Sequence, residues 1–279
     1  MLDLILVIIV VSVLLVSSVI DIKKREVPDE LSIGLIIAAI VLKLLHSYEI
    51  GNYSILVSSI VGASIFLGIS MAMYYTRQWG GGDAKLFIAL GIALPYYPEE
   101  LSIFSPNINA NFMLIIIFNI LLAGFVYGLS YIICLLLKHK NKQKKLNLRI
   151  NIFYFLLPAG IITLSLFFQY ELKLLLLILA FLVLIYPYII RVVNFAENEI
   201  LTYKINVNKL TEGDWILEDI FHDNAKIYSK RSPGVTKGQI ELFKKYKIKE
   251  VIVREGIPFV PAIFLGVLMS LICGNVLLF

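Results

Sequence analysis

Two aspartates stand where hydrophobic sequence meets polar sequence: Asp21 after the apolar stretch Leu2 to Ile20, and Asp83 ahead of the shorter stretch Ala84 to Tyr97. Ionisable groups at the edge of a membrane span are costly, so they are functional candidates by default. Two carboxyl groups held close cannot both ionise cheaply, which leaves one acid and one base at the same pH. That is equipment for hydrolysing a peptide bond. The ionised member takes a proton from water as it attacks the carbonyl. The protonated member donates to the oxyanion, the proton taken from water goes on to the leaving amine, and each transfer contributes roughly 10²- to 10⁴-fold in rate. Gly80, Gly81 and Gly82 run directly into Asp83. Without side chains they let a substrate backbone approach and permit positive φ, while Asp83 at a helix start meets the favourable end of the macrodipole. Taken singly, Asp21 reads as a headgroup-level charge beside Lys23, Lys24 and Arg25, and Asp83 as an N-cap after a glycine turn. Taken together, on one side and at matching depth, they read as a catalytic pair.

The neighbouring residues have humbler readings. Asp29 and Glu30 follow Pro28, where a carboxylate caps a helix, and Arg25 and Glu26 read as interfacial or substrate-facing. Lys85 either tunes the pair or contacts a phosphate headgroup, the second being favoured. Pro258 and Pro261 break the start of the last apolar stretch, and either place backbone beside the site or mark where a helix begins. His46, His139 and His222 offer no i, i+4 ligand pair, and Cys134 and Cys273 lie far apart inside apolar runs, as small buried hydrophobes do. No Walker or dinucleotide glycine signature is present. Chemistry without metal or cofactor is expected.

The elements that must position these residues are membrane spans. Of 279 residues 59% are hydrophobic and 16% charged, too apolar for a soluble chain of this length. A span needs roughly 20 apolar residues. Leu2 to Ile20, Leu31 to His46, Ile55 to Tyr75, Phe112 to Leu137, Ile150 to Phe168, Leu172 to Val193 and Ile257 to Phe279 fit that reading, and Ala84 to Tyr97 is a short eighth span. The net charge of +5 does not point to nucleic acid, because Lys and Arg gather in alternate connections: Lys23 to Arg25, Arg77 with Lys85, and Lys138 to Arg149. Apart from Lys43 and Lys173, every Lys and Arg falls on one side when eight spans are threaded. Both termini are then outside, and both aspartates face the cytoplasm. The run Lys138 to Lys145 is an orientation signal and headgroup contact.

The expected fold is therefore an all-α polytopic membrane protein of about eight transmembrane helices, with a small cytoplasmic α+β domain before the last span. Residues 1–193 form the helical core, 194–256 the small domain and 257–279 the last span. Within the small domain Ile200 to Val207 and Lys249 to Arg254 alternate as strands, and Thr236 with Gln239 is a capping box opening a helix.

Asp21-Ile-Lys-Lys-Arg25-Glu-Val-Pro28, Gly80-Gly81-Gly82-Asp83 with Ala84 and Lys85, and Gly256-Ile-Pro258-Phe259-Val-Pro261 with Gly266 together resemble the motifs of the prepilin peptidases. The resemblance is to the GxGD membrane aspartyl proteases of that type, and most of all to their archaeal branch of preflagellin and type IV prepilin-like peptidases. It implies that Asp21 and Asp83 are catalytic, and that the substrates are type IV pilin-like or archaellin precursors cut after a short basic leader on the cytoplasmic side of their hydrophobic helix. The four-cysteine zinc module of the bacterial branch is missing, which implies peptidase activity without N-methyl transfer. An intramembrane protease of the presenilin or signal-peptide-peptidase kind is the nearest alternative, though its first aspartate lies mid-span. From another class, a transporter or membrane scaffold is the alternative; a transporter would carry acids near the midplane and broken spans. Oligomeric state and the preferred precursor are not legible.

Overall fold

The computed structural model describes residues 1–104, 106–108, 110–143, 146–223 and 225–276. Lys144 and Lys145 of the expected basic loop, and 277–279 of the expected last span, lie outside the described residues. The chain divides into two units, Met1–Ser130 with Ile205–Phe279, and Tyr131–Lys204.

In the first unit, α1 (Leu2–Lys24) carries its buried residues as a stripe of Asp3, Leu6, Val7, Val10, Leu14, Ser17, Ser18 and Asp21. Steps of three and four put them all on one helix face, so one acid stands at each end of the inward stripe. The helix stops at Arg25, which takes the left-handed conformation at φ 60° and bonds back to the Asp21 carbonyl at 2.9 Å. Pro28 then fixes the entry to α2 (Asp29–Ile50), whose inward face is Ser32, Leu35, Ala39, Lys43 and Ser47. α3 (Ser54–Tyr75) turns Ile55, Ser59, Gly62, Phe66 and Ser70 inward.

The next helix, α4 (Gly81–Ala93), is packed against α1, α2 and α3. Ala84, Leu86, Phe87, Ala89, Leu90, Gly91 and Ala93 are buried, so apolar side chains meet protein on most of its circumference. Its approach to α3 is close because glycine meets glycine. A Cβ on Gly91 would lie 2.5 Å from the Gly62 carbonyl oxygen and 2.8 Å from Phe66 Cβ.

α5 (Phe112–Lys138) begins in this unit and receives α10 (Val260–Ile272), where Gly266 leaves room for the Ile120 backbone. Asn119 Nδ2 donates to Ser270 Oγ at 2.9 Å and to the Gly274 carbonyl at 2.7 Å, which fixes the end of α10 without leaving the amide donor unpaired in an apolar interior.

Between β1 (Thr202–Asn206) and α10 runs a small mixed region. A three-stranded sheet has the order β1-β5-β2, with β2 (Trp215–Ile216) antiparallel to β5 (Glu250–Arg254), and β3 (Ile220–His222) pairs antiparallel with β4 (Ala225–Tyr228). Val251 and Val253 are buried on one face of β5, as alternation predicts. They pack with Ile216, Tyr228, Val235, Ile240 and Phe243 in a core separate from that of the spans. α9 (Lys237–Lys245) opens on the expected reciprocal box: Gln239 N donates to Thr236 Oγ1, and Thr236 N donates to Gln239 Oε1.

In the second unit the end of α5 continues into the short α6 (Lys140–Gln143). α7 (Leu156–Ser165) then packs against α8 (Tyr170–Phe195), which carries Pro187 within it. Arg191 Nη1 donates to the Asn147 carbonyl at 3.1 Å, and Lys142 Nζ donates to the Glu199 carbonyl.

Among the described residues, five helical segments are long and apolar enough to cross a membrane: Leu2–Lys24, Asp29–Ile50, Ser54–Tyr75, Phe112–Lys138 and Leu172–Ile200. The other three expected spans are shorter helices, α4 and α10 of 13 residues each and α7 of 10. At about 1.5 Å per residue, 13 residues reach only about 20 Å. Hydropathy finds apolar sequence but does not distinguish a lipid-facing helix from one enclosed by other helices, as α4 is. The two cysteines also depart from expectation. Both are free and exposed, because each sits on an outward face of an apolar segment.

Candidate active site

Asp21 lies on the last turns of α1 and Asp83 on the first turn of α4, at the same end of the helix bundle. α1 and α4 pack directly, and the charge of Asp21 acts on the Asp83 carboxyl. Both aspartates are held by backbone donors. Asp21, 5% exposed, accepts the Val260 N–H at its Oδ2 at 3.1 Å. Asp83, half-buried at the third position of α4, accepts the Gly80 N–H at its Oδ2 at 3.0 Å, the return half of a capping box. Its place in the first turn agrees with the macrodipole argument. The Phe259 backbone also donates to Asp21.

The glycine run does something other than allow positive φ. Gly80 has φ −72°, and neither Gly81 nor Gly82 belongs to the positive-φ residues. Gly82 is required by packing: a Cβ there would lie 2.7 Å from Val27 Cβ and 3.0 Å from the Val27 carbonyl oxygen. The turn between α1 and α2 therefore presses on the first turn of α4, next to Asp83. At Gly81 an added Cβ would make ordinary contact with Tyr74 at 3.8 Å, so the run is not uniformly constrained.

Arg25 is a tie across the fold. Its Nη1 donates to the Gly256 carbonyl at 3.1 Å and its Nε lies 3.3 Å from Glu255 Oε1. Pro258 is buried and Pro261 occupies the second position of α10. The two readings of these prolines thus meet: they mark the start of α10, and that start presents the Val260 N–H to Asp21. Phe259 stacks near Trp79 with ring centroids 5.1 Å apart, and Trp79 in turn lies 4.9 Å from Phe87. Trp79, immediately before the glycine run, was not singled out by pattern; an aromatic ahead of a glycine turn at a span boundary is the signal that marks it.

Lys85 is engaged within the protein. Its Nζ lies 2.6 Å from Asp29 Oδ1, an ion pair between α4 and α2. Asp29 is correspondingly no cap: Pro28 is the N-cap residue of α2, and no side chain caps that end. Among the described residues, no three His, Cys, Asp or Glu side chains group as metal ligands.

A second polar cluster lies at the other end of α1. Lys43, 2% exposed, donates from Nζ to Asp3 Oδ1 at 2.9 Å and to Tyr96 Oη at 2.9 Å, and His46 Nδ1 lies 3.1 Å from the same Asp3 oxygen. Lys43 was visible as an exception to the loop-charge pattern; an inward lysine in a span implies an acidic partner.

Apolar helices place Asp21 and Asp83 at one end of the bundle, near enough for the charge of one to act on the other. Residues 8–133, which contain both aspartates, match the type IV leader peptidase family. Preflagellin peptidases of Methanococcus voltae and of Methanococcus maripaludis strain C6 are each 33% identical over 84 residues, 30% of this chain and 36% of theirs. The preflagellin peptidase of Methanocaldococcus jannaschii is 33% identical over 86 residues, again 30% of this chain and 36% of that one. The chain spans about a third of the length of the curated relatives it matches. No solved structure matches it.

Proposed function

We propose that this chain is a membrane aspartic endopeptidase that removes the short basic leader of type IV pilin-like or archaellin precursors at the cytoplasmic face of the plasma membrane. The observation that carries the proposal is the meeting of Asp21 with Asp83 inside a segment that matches the leader peptidases. In this reading the Val260 and Gly80 amides hold the two carboxylates in place. Water sits between them, and one carboxylate takes its proton while the other gives its own to the carbonyl oxygen. The first then passes the water's proton to the amine that leaves, as the second regains one from the collapsing intermediate. Preorganised carboxylates avoid reorganising solvent in the transition state. The cytoplasmic placement rests on loop charges: Lys23, Lys24, Arg25 and Arg77 flank the ends of α1 and α3 nearest the pair. The activity proposed is peptidase alone, with no N-methyl transfer, no metal and no cofactor.

The experiment is direct. The chain is expressed in membranes with a precursor carrying a basic leader and an apolar helix, and the mass of the product is read. The expected product lacks the leader, and a strong chelator leaves the cut intact. An uncut precursor contradicts the proposal, and loss of cutting in chelator contradicts its metal-free part.

Gly82→Ala provides a graded test. Its Cβ cannot fit against Val27 unless the first turn of α4 shifts. A displacement of that order at a reacting group lowers rates by roughly 10- to 100-fold. We expect leader removal to fall in that range while the variant still folds. Unchanged cleavage would show that Asp83 does not depend on this contact.

A further inference from the structure

A surface pocket of about 500 Å³ is lined by Tyr75, Arg77, Leu217, Lys230 and Arg231. Tyr75 ends α3 and Arg77 stands in the turn that leads to Gly80, whereas Leu217, Lys230 and Arg231 come from the loops around β2 and β4. Three cations therefore converge on one concavity from two separate stretches of chain.

Arg77 is fixed there. Its backbone takes φ 58°, unusual for a residue with a side chain, and its guanidinium donates to the Ser232 carbonyl across to the β4–α9 loop. Its Nε is buried without a hydrogen-bond partner, a donor with no acceptor. The carboxylate that adjoins Lys230 is already committed: Asp219 accepts the Lys230 backbone N–H at 2.7 Å and pairs with Lys226 Nζ at 2.9 Å. These donors, the Lys230 amide first, hold the Asp219 carboxyl below the usual carboxylate range. Among the described residues no carboxylate pairs with Arg77, Lys230 or Arg231.

We propose that this pocket binds a phosphate group, with the anionic headgroup of a membrane phospholipid as its expected source. Guanidinium and ammonium donors that converge with no carboxylate ion-paired to them, the nearby Asp219 being engaged by Lys226 and the Lys230 amide, suit phosphate oxygens. Tyr75, at the end of an apolar helix long enough to span, puts the pocket at headgroup level, where aromatic side chains collect. Occupancy would reinforce the tie that Arg77 already makes to the β4–α9 loop, and so hold the small mixed region on the membrane surface. This site stands independently of the proteolytic reading.

The test uses the purified full-length chain in detergent and native mass spectrometry of bound lipid. Its arms are phosphatidylglycerol, phosphatidylcholine and inorganic phosphate, each against the parent and Lys230→Gln/Arg231→Gln. At about 1 kcal/mol for each basic residue near an anionic surface, the double variant should hold phosphatidylglycerol roughly 10- to 30-fold more weakly. The charge-conserving Lys230→Arg/Arg231→Lys variant should retain it, which separates lost charge from lost folding. Protection by inorganic phosphate in a thermal-unfolding scan, lost in the double variant, supports the same pocket with free phosphate as the source. Equal retention of phosphatidylglycerol by parent and double variant overturns the proposal, as does equal retention of phosphatidylcholine by the parent. No readout requires a cleaved precursor, so an inactive chain that keeps its lipid upholds the pocket while refuting the peptidase.

Discussion

Replacing Lys43 by methionine is expected to destabilise the folded chain by about 3–5 kcal/mol, the range found when one partner of a buried ion pair is removed. The ammonium is 2% exposed and serves two acceptors, Asp3 Oδ1 and Tyr96 Oη, each at 2.9 Å, and it also lies 4.1 Å from the centroid of the Tyr96 ring. Removing it leaves the Asp3 carboxylate buried beside His46 and Tyr96 without its closest cation, and weakens the tie between the start of α1 and the far end of α2. The loss should arise from the stranded charge more than from missing attraction. Neutralising both members, in Asp3→Asn/Lys43→Met, should therefore recover most of the stability. Thermal unfolding in detergent checks both variants. A Lys43→Met protein as stable as the parent would show that the pair is not needed to register α1 against α2.

Gly91→Leu should be comparably severe for a steric reason. A Cβ at Gly91 meets the Gly62 carbonyl oxygen and Phe66 Cβ at 2.5 and 2.8 Å, and a leucine adds three further carbons to the same space. α3 and α4 must then separate along the crossing that holds α4 in the bundle. Overpacking costs typically about 1–3 kcal/mol, and a contact between two backbones gives less room to relax than one between side chains. We expect a fall in melting temperature and broadening on gel filtration. The outward-facing Gly68, where an added Cβ meets nothing within 4 Å, is the matched control: Gly68→Leu should fold as the parent does.

The parts of this fold that were legible are those in which neighbours in sequence decide the outcome. The α1 stripe from Asp3 to Asp21 follows from helical period, and the box of Thr236 and Gln239 from a three-residue spacing. The alternation that buries Val251 and Val253 is equally local. What stayed hidden depends on residues far apart in the chain. Arg25 meets Gly256, Lys85 meets Asp29, and Gly82 fits against Val27; no spacing rule joins those positions. The sequence of the short α4 has the hydropathy of a span, because hydropathy registers apolar side chains and is silent about whether lipid or protein surrounds them.

Of the site itself, the sequence identified two aspartates that the fold brings to one end of the bundle. It assigned the glycines a conformational reason, where Gly82 in fact has a packing one. It also did not anticipate that backbone donors, Val260 for Asp21 and Gly80 for Asp83, would hold both carboxylates. Such donors are found by no residue pattern, because every residue except proline carries one.

The most direct measurement compares leader removal by the parent, Asp21→Asn and Asp83→Asn in the same membranes on the same precursor. Asparagine keeps the side-chain shape and an oxygen that can still accept the Val260 or Gly80 N–H, so the variants should fold as the parent does. Each substitution removes one proton-transfer group, and the rate should fall by roughly 10²- to 10⁴-fold in both. Cleavage near the parental rate in either variant would contradict the aspartate pair as the catalytic centre.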